Sequence, residues 1–364
     1  MDELQSALLL SSVLALIGWL LLRRRTAGRL PGRAPVAATR SRAPEASQPP
    51  LDPPDLRRLA GINEMFSERL WRLAYGVPQS PLPLDQAHAE VRVAAVARLD
   101  PQKINPDYFP RRPALMQPLM QAVNDPNSGA DKLARMIAHD PVISADVLRI
   151  ANSALYRTRP EPIESIQRAI VNCGVESLKG ILATAMVRPV FKANSHNFPR
   201  LPRLLWERTE RAVRVAEIFA MRVQPSDRFE SQLAVLLNAL GPLVVYSACL
   251  DAYAKRPRLT PNPSLFVELT LTLGAPLSQR IAQEWNASPR LVAALARQSE
   301  EALSRPVAVG ELVGTLGVLA GTGAVTGTEQ RELALLAGLN EAWLKELGFT
   351  GAERPVPEAH RRAG

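Results

Sequence analysis

Residues 124–174 read NDPNSGADKLARMIAHDPVISADVLRIANSALYRTRPEPIESIQRAIVNCG. Two Asp-Pro steps punctuate this stretch, Asp125-Pro126 and Asp140-Pro141. An aspartate before a proline marks a helix start. The carboxylate accepts from the free N–H groups of the first turn, and proline there gives up an N–H that would have had no partner. After the first step come Leu133, Met136 and Ile137, the spacing of one helical face. After the second come Ile143, Val147, Ile150 and Ala151, at i, i+4, i+7 and i+8. Asn152 and Ser153 are placed to stop that helix. Ile163, Ile166, Ala169 and Ile170 predict another short amphipathic helix, with Gly174 as its left-handed C-cap. Leu178, Ile181, Leu182 and Ala185 begin the next. Strand-like alternation is nowhere sustained, so the pattern predicts an all-α bundle of short helices and short turns.

The same period extends outward. Residues 54–75 read as one helix through Leu56, Leu59, Ile62 and Phe66, and residues 84–99 as a second. Beyond residue 301, Val309, Leu312, Val313 and Leu316, then Trp343, Leu344 and Leu347, predict two closing helices. At 364 residues, 46% hydrophobic and 22% charged, the chain can bury a sizeable core. Cys173 and Cys249 are its only cysteines, which excludes a disulfide scaffold and a cysteine-based zinc cluster. Each reads as a small core residue. His88, His139, His196 and His360 are nowhere within metal-ligand spacing of one another.

The net charge of +9 is unevenly spread. Residues 1–22 carry −2 and residues 23–50 carry +6, leaving +5 for the other 314. The basic character therefore belongs partly to one short segment and not to a nucleic-acid-binding face. Aromatics at 5% also make a poor base-stacking platform, so nucleic acid is not an expected partner. Leu4 to Leu22 is an uncharged run, LQSALLLSSVLALIGWLLL. As a helix it spans about 28 Å, close to the hydrocarbon core of a bilayer. Asp2 and Glu3 precede it, and Arg23, Arg24 and Arg25 follow. Residues 1–22 are thus expected to be a single-pass anchor in the inner membrane, with the N-terminus outside and the body in the cytoplasm. A buried core helix and a targeting sequence are the alternatives. Residues 23–54 hold seven prolines and few large apolar side chains, the composition of an extended linker. Arg23, Arg24 and Arg25 are candidates to lie on anionic lipid headgroups, at about 1 kcal/mol each.

The run from Phe109 to Val187 resembles the first half of an HDOD domain, the HD-related output domain of bacterial signalling proteins. The resemblance rests on ordered pieces: Pro110 and Pro113, Leu133-Ala134, Ile137 with Asp140-Pro141, and Ala151-Asn152-Ser153-Ala154-Leu155-Tyr156. Ser165-Ile166, Ala169-Ile170 and Cys173-Gly174 follow. It continues to about residue 347. Leu205-Trp206 opens the helix that in HD phosphohydrolases supplies a metal-binding histidine, and the family's Trp-x-x-x-Pro turn is Trp285 to Pro289, where Ser288 should cap. The resemblance implies an HDOD-like body over residues 109–300. A helical extension over 55–108 would precede it, with closing helices over 301–350 and a flexible tail over 351–364 after it. Asp140, Pro141, Asn152, Ser153, Gly174, Trp285 and Pro289 are then structural signature residues.

The resemblance also locates missing chemistry. The Leu-Leu-His-Asp-φ-Gly motif of HD enzymes aligns with Leu236-Leu237-Asn238-Ala239-Leu240-Gly241. Asn238 and Ala239 therefore stand where histidine and aspartate would hold the metal that activates water. Glu207-Arg208-Thr209 and Arg297-Gln298 supply no histidine at two further positions. Asn238 and Ala239 are expected to end a buried helix, with Gly241-Pro242 marking the break. No metal, no cofactor and no catalysis are expected, and the body is expected to act by binding unidentified signalling proteins. The alternative is an HD-superfamily phosphohydrolase or nucleotide-binding protein with unrecognised ligands. Gly321 to Gly327 lacks the strand and the Lys-Ser/Thr of a phosphate loop and reads as an inter-helix turn. Arg200, Arg203, Arg208, Arg211 and Arg214, interleaved with Glu207 and Glu210, read as a solvated face, or else as a site for a phosphate-bearing ligand or acidic partner.

Overall fold

In the computed structural model the described residues are 54–78, 83–100, 103–104, 109–110, 113–124, 130–153, 155–157, 160–192, 197–296 and 303–347. They all fall within one compact unit, and no strand occurs among them. The anchor of residues 1–22, the linker to residue 53, Asp125-Pro126, Ala154, Arg297-Gln298 and the tail beyond 347 lie outside them.

The first helices are α1 (Leu56–Tyr75), α2 (Gln86–Leu99), α3 (Met116–Asn124), α4 (Ala130–Ala138) and α5 (Pro141–Ala151). Next come α6 (Ile166–Cys173), α7 (Val175–Val187), α8 (Leu201–Val223), α9 (Arg228–Asn238) and α10 (Leu240–Ala254). The last are α11 (Pro263–Glu284), α12 (Pro289–Ala294), α13 (Ser304–Gly321), α14 (Gly327–Leu336) and α15 (Glu341–Glu346). Local chemistry sets many of the starts. Asp55, Asp85, Asp140, Ser165, Asn262, Ser288, Thr326 and Asn340 each cap the helix that follows with a side-chain oxygen on a free backbone N–H. Asp140 takes two, from Val142 at 2.8 Å and Ile143 at 3.1 Å, and Pro141 opens α5. Ser288 and Pro289 do the same for α12.

Helices α3 to α7 form one cluster, which meets the rest of the core mainly where α7 packs on α9. The remaining helices surround α8 and α11. The most extensive contact is α8 on α13, and it depends on small residues: a Cβ on Gly310 would lie 2.6 Å from the Ala212 carbonyl oxygen. Helix α1 packs on α13 and α11, so the segments before residue 109 and after residue 301 share one core. Trp343 of α15 stacks on Phe219 of α8 with ring centroids 4.5 Å apart. Tyr75 of α1, Phe198, Tyr246 and Tyr253 of α10, and Phe266 of α11 form an aromatic centre where these helices meet.

Several local expectations are corrected. Ile163 is buried but precedes α6, which begins at Ile166. Gly174 has φ 81° and ψ 160°, an extended positive-φ corner and not the left-handed helical cap. That one residue ends α6 and starts α7. Leu205-Trp206 lies a turn inside α8, which opens at Leu201. Among the described residues the closing helices number three, because Thr326 and Glu329 form a capping box that starts α14. One stretch among the described residues, Arg228–Ala254, is long and apolar enough to cross a membrane by length and composition. It lies mid-chain, comprises α9 and α10, and its most apolar part is mostly buried in protein, as a core element would be.

Candidate functional site

The break between α9 and α10 falls at Ala239, two residues earlier than the Gly241-Pro242 step suggested. Asn238 is the last residue of α9, and Ala239 is 1% exposed. The Ser278 hydroxyl of α11 stitches the break, donating to the Asn238 carbonyl at 2.8 Å and accepting from the Gly241 N–H at 3.1 Å. Gly241 permits that closeness: a Cβ there would sit 1.9 Å from the Gly274 carbonyl oxygen. Pro242 is accommodated in the first turn of α10, where no backbone donor is needed.

A cavity of about 990 Å³ opens beside this junction. Its walls come from α1, α11, the end of α12 and the start of α13, and Arg208, Asn238 and Pro242 also line it. Arg208, 4% exposed, forms a buried ion pair with Glu311 of α13, and its Nε donates to the Thr315 hydroxyl at 3.0 Å. Glu311 uses only Oε2 in this pair; Oε1 is buried with no hydrogen-bond partner. Arg305, also on the wall, has a buried Nε with no partner among the described residues. Among the described residues no three His, Cys, Asp or Glu side chains come together in a group able to hold a metal. Asn238 reaches the cavity, but Ala239 brings no donor to it.

The arginine series on α8 is not one solvated face. Arg203 and Arg211 are exposed, Arg208 is buried against Glu311, and Arg214 turns inward. Arg214 donates to the Leu155 carbonyl at 3.0 Å and to Glu217 at 2.7 Å, and lies 4.9 Å from the centre of the Tyr156 ring. Glu217, with 0% exposure, anchors a second buried centre. It also accepts from Ser177 at 2.6 Å and from Arg228 at 2.7 Å. Burial alone would raise its carboxyl, but Arg214, Ser177 and Arg228 outweigh burial and hold it below the ordinary carboxylate value. Glu210, further toward the start of α8, is raised instead: burial dominates over the nearby Arg149, Arg188 and Arg211.

The signature residues are spread through the fold and meet at no single site. Asn152 works as a clasp: its amide donates to the Leu148 carbonyl at 2.9 Å and the Ile163 carbonyl at 2.7 Å, and accepts from the Ile163 N–H at 2.7 Å. That ties Asn152 to Ile163, eleven positions further along the chain. Ser153 accepts at its carbonyl from the N–H groups of Tyr156 and Arg157 inside the same loop. Trp285 donates its indole N–H to the Pro110 carbonyl at 3.1 Å, pinning the segment before α3. Cys249 is buried, with its thiol pushed up to about 12 by burial, and Cys173 is half-buried and raised for the same reason. Neither has the thiolate character a nucleophile needs.

Sequence reasoning missed Ser177, Glu217, Arg228, Arg305 and Glu311. A signal existed for one of them. Glu217 follows Val213 by four residues and precedes Ala220 by three, a charge on an apolar helical stripe. Such a charge predicts a buried partner, though not which one.

Comparison with known proteins adds three findings. A family model described as the HDOD domain matches residues 109–301. Among solved structures, a candidate metal-dependent phosphohydrolase of Shewanella amazonensis SB2B is 19% identical, with a TM-score of 0.48 over 73% of this chain and 98% of that one. An HDOD domain protein of unknown function from Geobacter sulfurreducens is 18% identical, with a TM-score of 0.48 over 72% and 89%. No curated protein matches the sequence.

Proposed function

The chain belongs to the HDOD domain family, and from that premise we propose that it is a non-catalytic, membrane-tethered signalling adaptor whose helical body works through contacts with other proteins. The observation that carries the reading is the α9–α10 junction. An HD centre needs several lone-pair donors converging on one metal. Here Ala239 is a methyl group packed at 1% exposure, and Asn238 stands without a second metal ligand beside it. On α8, where an HD enzyme would place a histidine, Arg208 brings a fixed positive charge already neutralised by Glu311. A cation and its counter-ion thus occupy the region without a metal. The tether rests on residues 4–22, uncharged and followed by Arg23, Arg24 and Arg25. It holds the body on the cytoplasmic face of the inner membrane, where those arginines face anionic headgroups.

The test is metal analysis of the purified full chain together with a metal-supplemented phosphodiester hydrolysis assay. The expected result is no stoichiometric divalent ion and no turnover above a metal-free control. Hydrolysis by the wild type would overturn the reading. Alkaline carbonate extraction of membranes tests the tether, and release of the intact chain would refute it.

A further inference from the structure

Helix α2 lies on α10 and α11 with Val91, Ala95 and Leu99 buried beneath it. A helix in that position should carry its charges on the opposite face, toward water. Here the polar side chains are drawn back to the body instead. His88 Nδ1 lies 2.9 Å from the Tyr253 hydroxyl, Glu90 pairs with Arg256 at 2.7 Å, and Arg92 pairs with Glu268 at 2.7 Å. Arg98 has a buried Nη1. What remains outward is Ala89, Val93, Val96 and Ala97, at i, i+4, i+7 and i+8, all exposed, with Val93 at 66%. Gln86 and Asp100 stand at the two ends of this strip. Local structure does not account for the valines. Valine is a weaker helix former than alanine, glutamate or lysine, because its branched side chain loses freedom against the preceding turn. At an exposed position no burial repays that loss. The spacing is the one by which two helices pack along a seam, and alanine and valine let the two axes approach to about 8 Å.

We propose that this face of α2 pairs with the same face of a second copy of the chain held on the same membrane. Charge argues for that occupant. An isologous interface sets a surface against itself, so a net charge on it would be opposed by its like. The strip has no charge, and each flank carries a closed pair, Glu90 with Arg256 on one side and Arg92 with Glu268 on the other. A partner recognised by charge finds nothing to read here, whereas a copy meets no repulsion. The sequence of the strip is also its own complement. Ala89 and Ala97 stand four residues either side of Val93, so a two-fold axis at Val93 sets each alanine opposite the other in an antiparallel pair. Area fixes the setting. Helix α2 is about 21 Å long, and a face about 10 Å wide covers about 200 Å², against about 800 Å² per partner in a stable interface. Such a contact is weak between free molecules and needs copies that are already concentrated, which a tether to one membrane supplies. The inference therefore goes beyond the adaptor reading and rests on its tether. Helix α2 precedes residue 109, outside the segment that matches the family model, so the face belongs to this chain's own extension.

The experiment is oxidative cross-linking of the full chain in membranes, read on non-reducing gels. Val93→Cys removes no core contact, because Val93 is exposed, and it places a thiol beside the axis. Two such thiols come within disulfide reach, with Cα atoms about 4.4–6.8 Å apart. A band at twice the chain's mass is expected from Val93→Cys. The wild type, whose Cys173 is half-buried and Cys249 buried, should lack it. Val171→Cys, on α6 and 81% exposed, controls for chance collision and should behave as the wild type. Added to Val93→Cys, Val96→Glu sets charges on both sides of the seam and should lower the yield at least about fivefold, whereas Val96→Thr, of similar shape and neutral, should keep it. Absence of the band from Val93→Cys overturns the proposal, as does an equal band from Val171→Cys or a yield that Val96→Glu leaves unchanged. A cross-linked band of any other mass also overturns it, by putting a different protein on the face. Alkaline carbonate extraction of the same membranes reports on the tether separately, so a missing band from membranes that retain the chain refutes the pairing and leaves the tether standing.

Discussion

Helix α8 contributes to two buried arginine–carboxylate centres, about two and a half turns apart, and they are built to opposite specifications. At Glu217 both oxygens are used: Oε1 accepts from Ser177 and Arg228, and Oε2 from Arg214. The centre lies between α7, α8 and α9 and joins the α3–α7 cluster to the rest of the core. At Glu311 one oxygen pairs with Arg208 and the other is left over, beside a cavity. Polar saturation in a packed interior fixes how helices meet. Polar surplus at a cavity wall is what recognition requires. Mutations should separate the two.

The largest effect is expected at Glu217. Glu217→Gln keeps the shape but leaves Arg214 and Arg228 facing each other without a counter-charge. Removing one partner of a buried ionic centre costs about 3–5 kcal/mol, and roughly 3 kcal/mol is expected here because the two arginine side chains keep 25% and 20% exposure. The same group gives a pH signature. Its folded-state carboxyl is held below the unfolded value of about 4.5, so its stabilisation is complete above that value and is lost as pH falls through the lower, folded one. Melting curves between pH 7 and strongly acidic buffer should show wild-type stability falling below about pH 4.5. Glu217→Gln should lack that part of the fall. A variant with wild-type stability at pH 7 would show that the centre does not hold the helices together.

The cavity side of the comparison is probed at the α9–α10 junction, where Asn238 also lines the cavity. Asn238→His with Ala239→Asp adds two polar groups at a junction where Ala239 is 1% exposed and no further ligands converge. An unpaired buried polar group costs about 1–3 kcal/mol, and a charged one more. The double variant should therefore melt lower and hydrolyse no phosphodiester in the presence of divalent metal. Activity appearing in that variant would mean that donors do converge there.

The helical period, the capping residues and the turn residues were legible because each acts within a few positions of itself. Asp140 with Pro141, Ser288 with Pro289, and the helix that ends at Asn238 are local facts, and a local reading finds them. Gly174 was read with the right sign of φ and the wrong ψ, because the next helix starts immediately and pulls the chain into an extended corner. The arginine series was misread for a different reason. Charge spacing along α8 shows which residues share a face, but not that Glu311 and Thr315, more than a hundred residues away, cover one part of it. The cavity was invisible for the same cause: α1, about two hundred residues earlier in the chain, closes it against α11, α12 and α13. Asp140 tests the legible part. Asp140→Ala removes acceptors for two N–H groups, and a loss of about 0.5–2 kcal/mol is expected in denaturant melts, with no change at either buried centre. Unchanged stability with altered partner binding would make Asp140 a contact residue.

The smallest effect is expected at Asn238, and it sharpens the contrast most. Asn238 ends α9 beside the cavity, and what the fold uses there is its backbone: the carbonyl accepts from Ser278, and no hydrogen bond to the side-chain amide occurs among the described residues. Replacing the carboxamide by an isopropyl group removes no hydrogen bond among the described residues and adds apolar surface to a partly apolar wall. Asn238→Leu should therefore change stability by no more than about 0.5 kcal/mol in either direction. Glu217→Gln, at the saturated centre on the same bundle, should cost several times that. A loss above about 1 kcal/mol from Asn238→Leu would show that the amide is part of the folded network, and that the region around the cavity is held together in the way the Glu217 centre is.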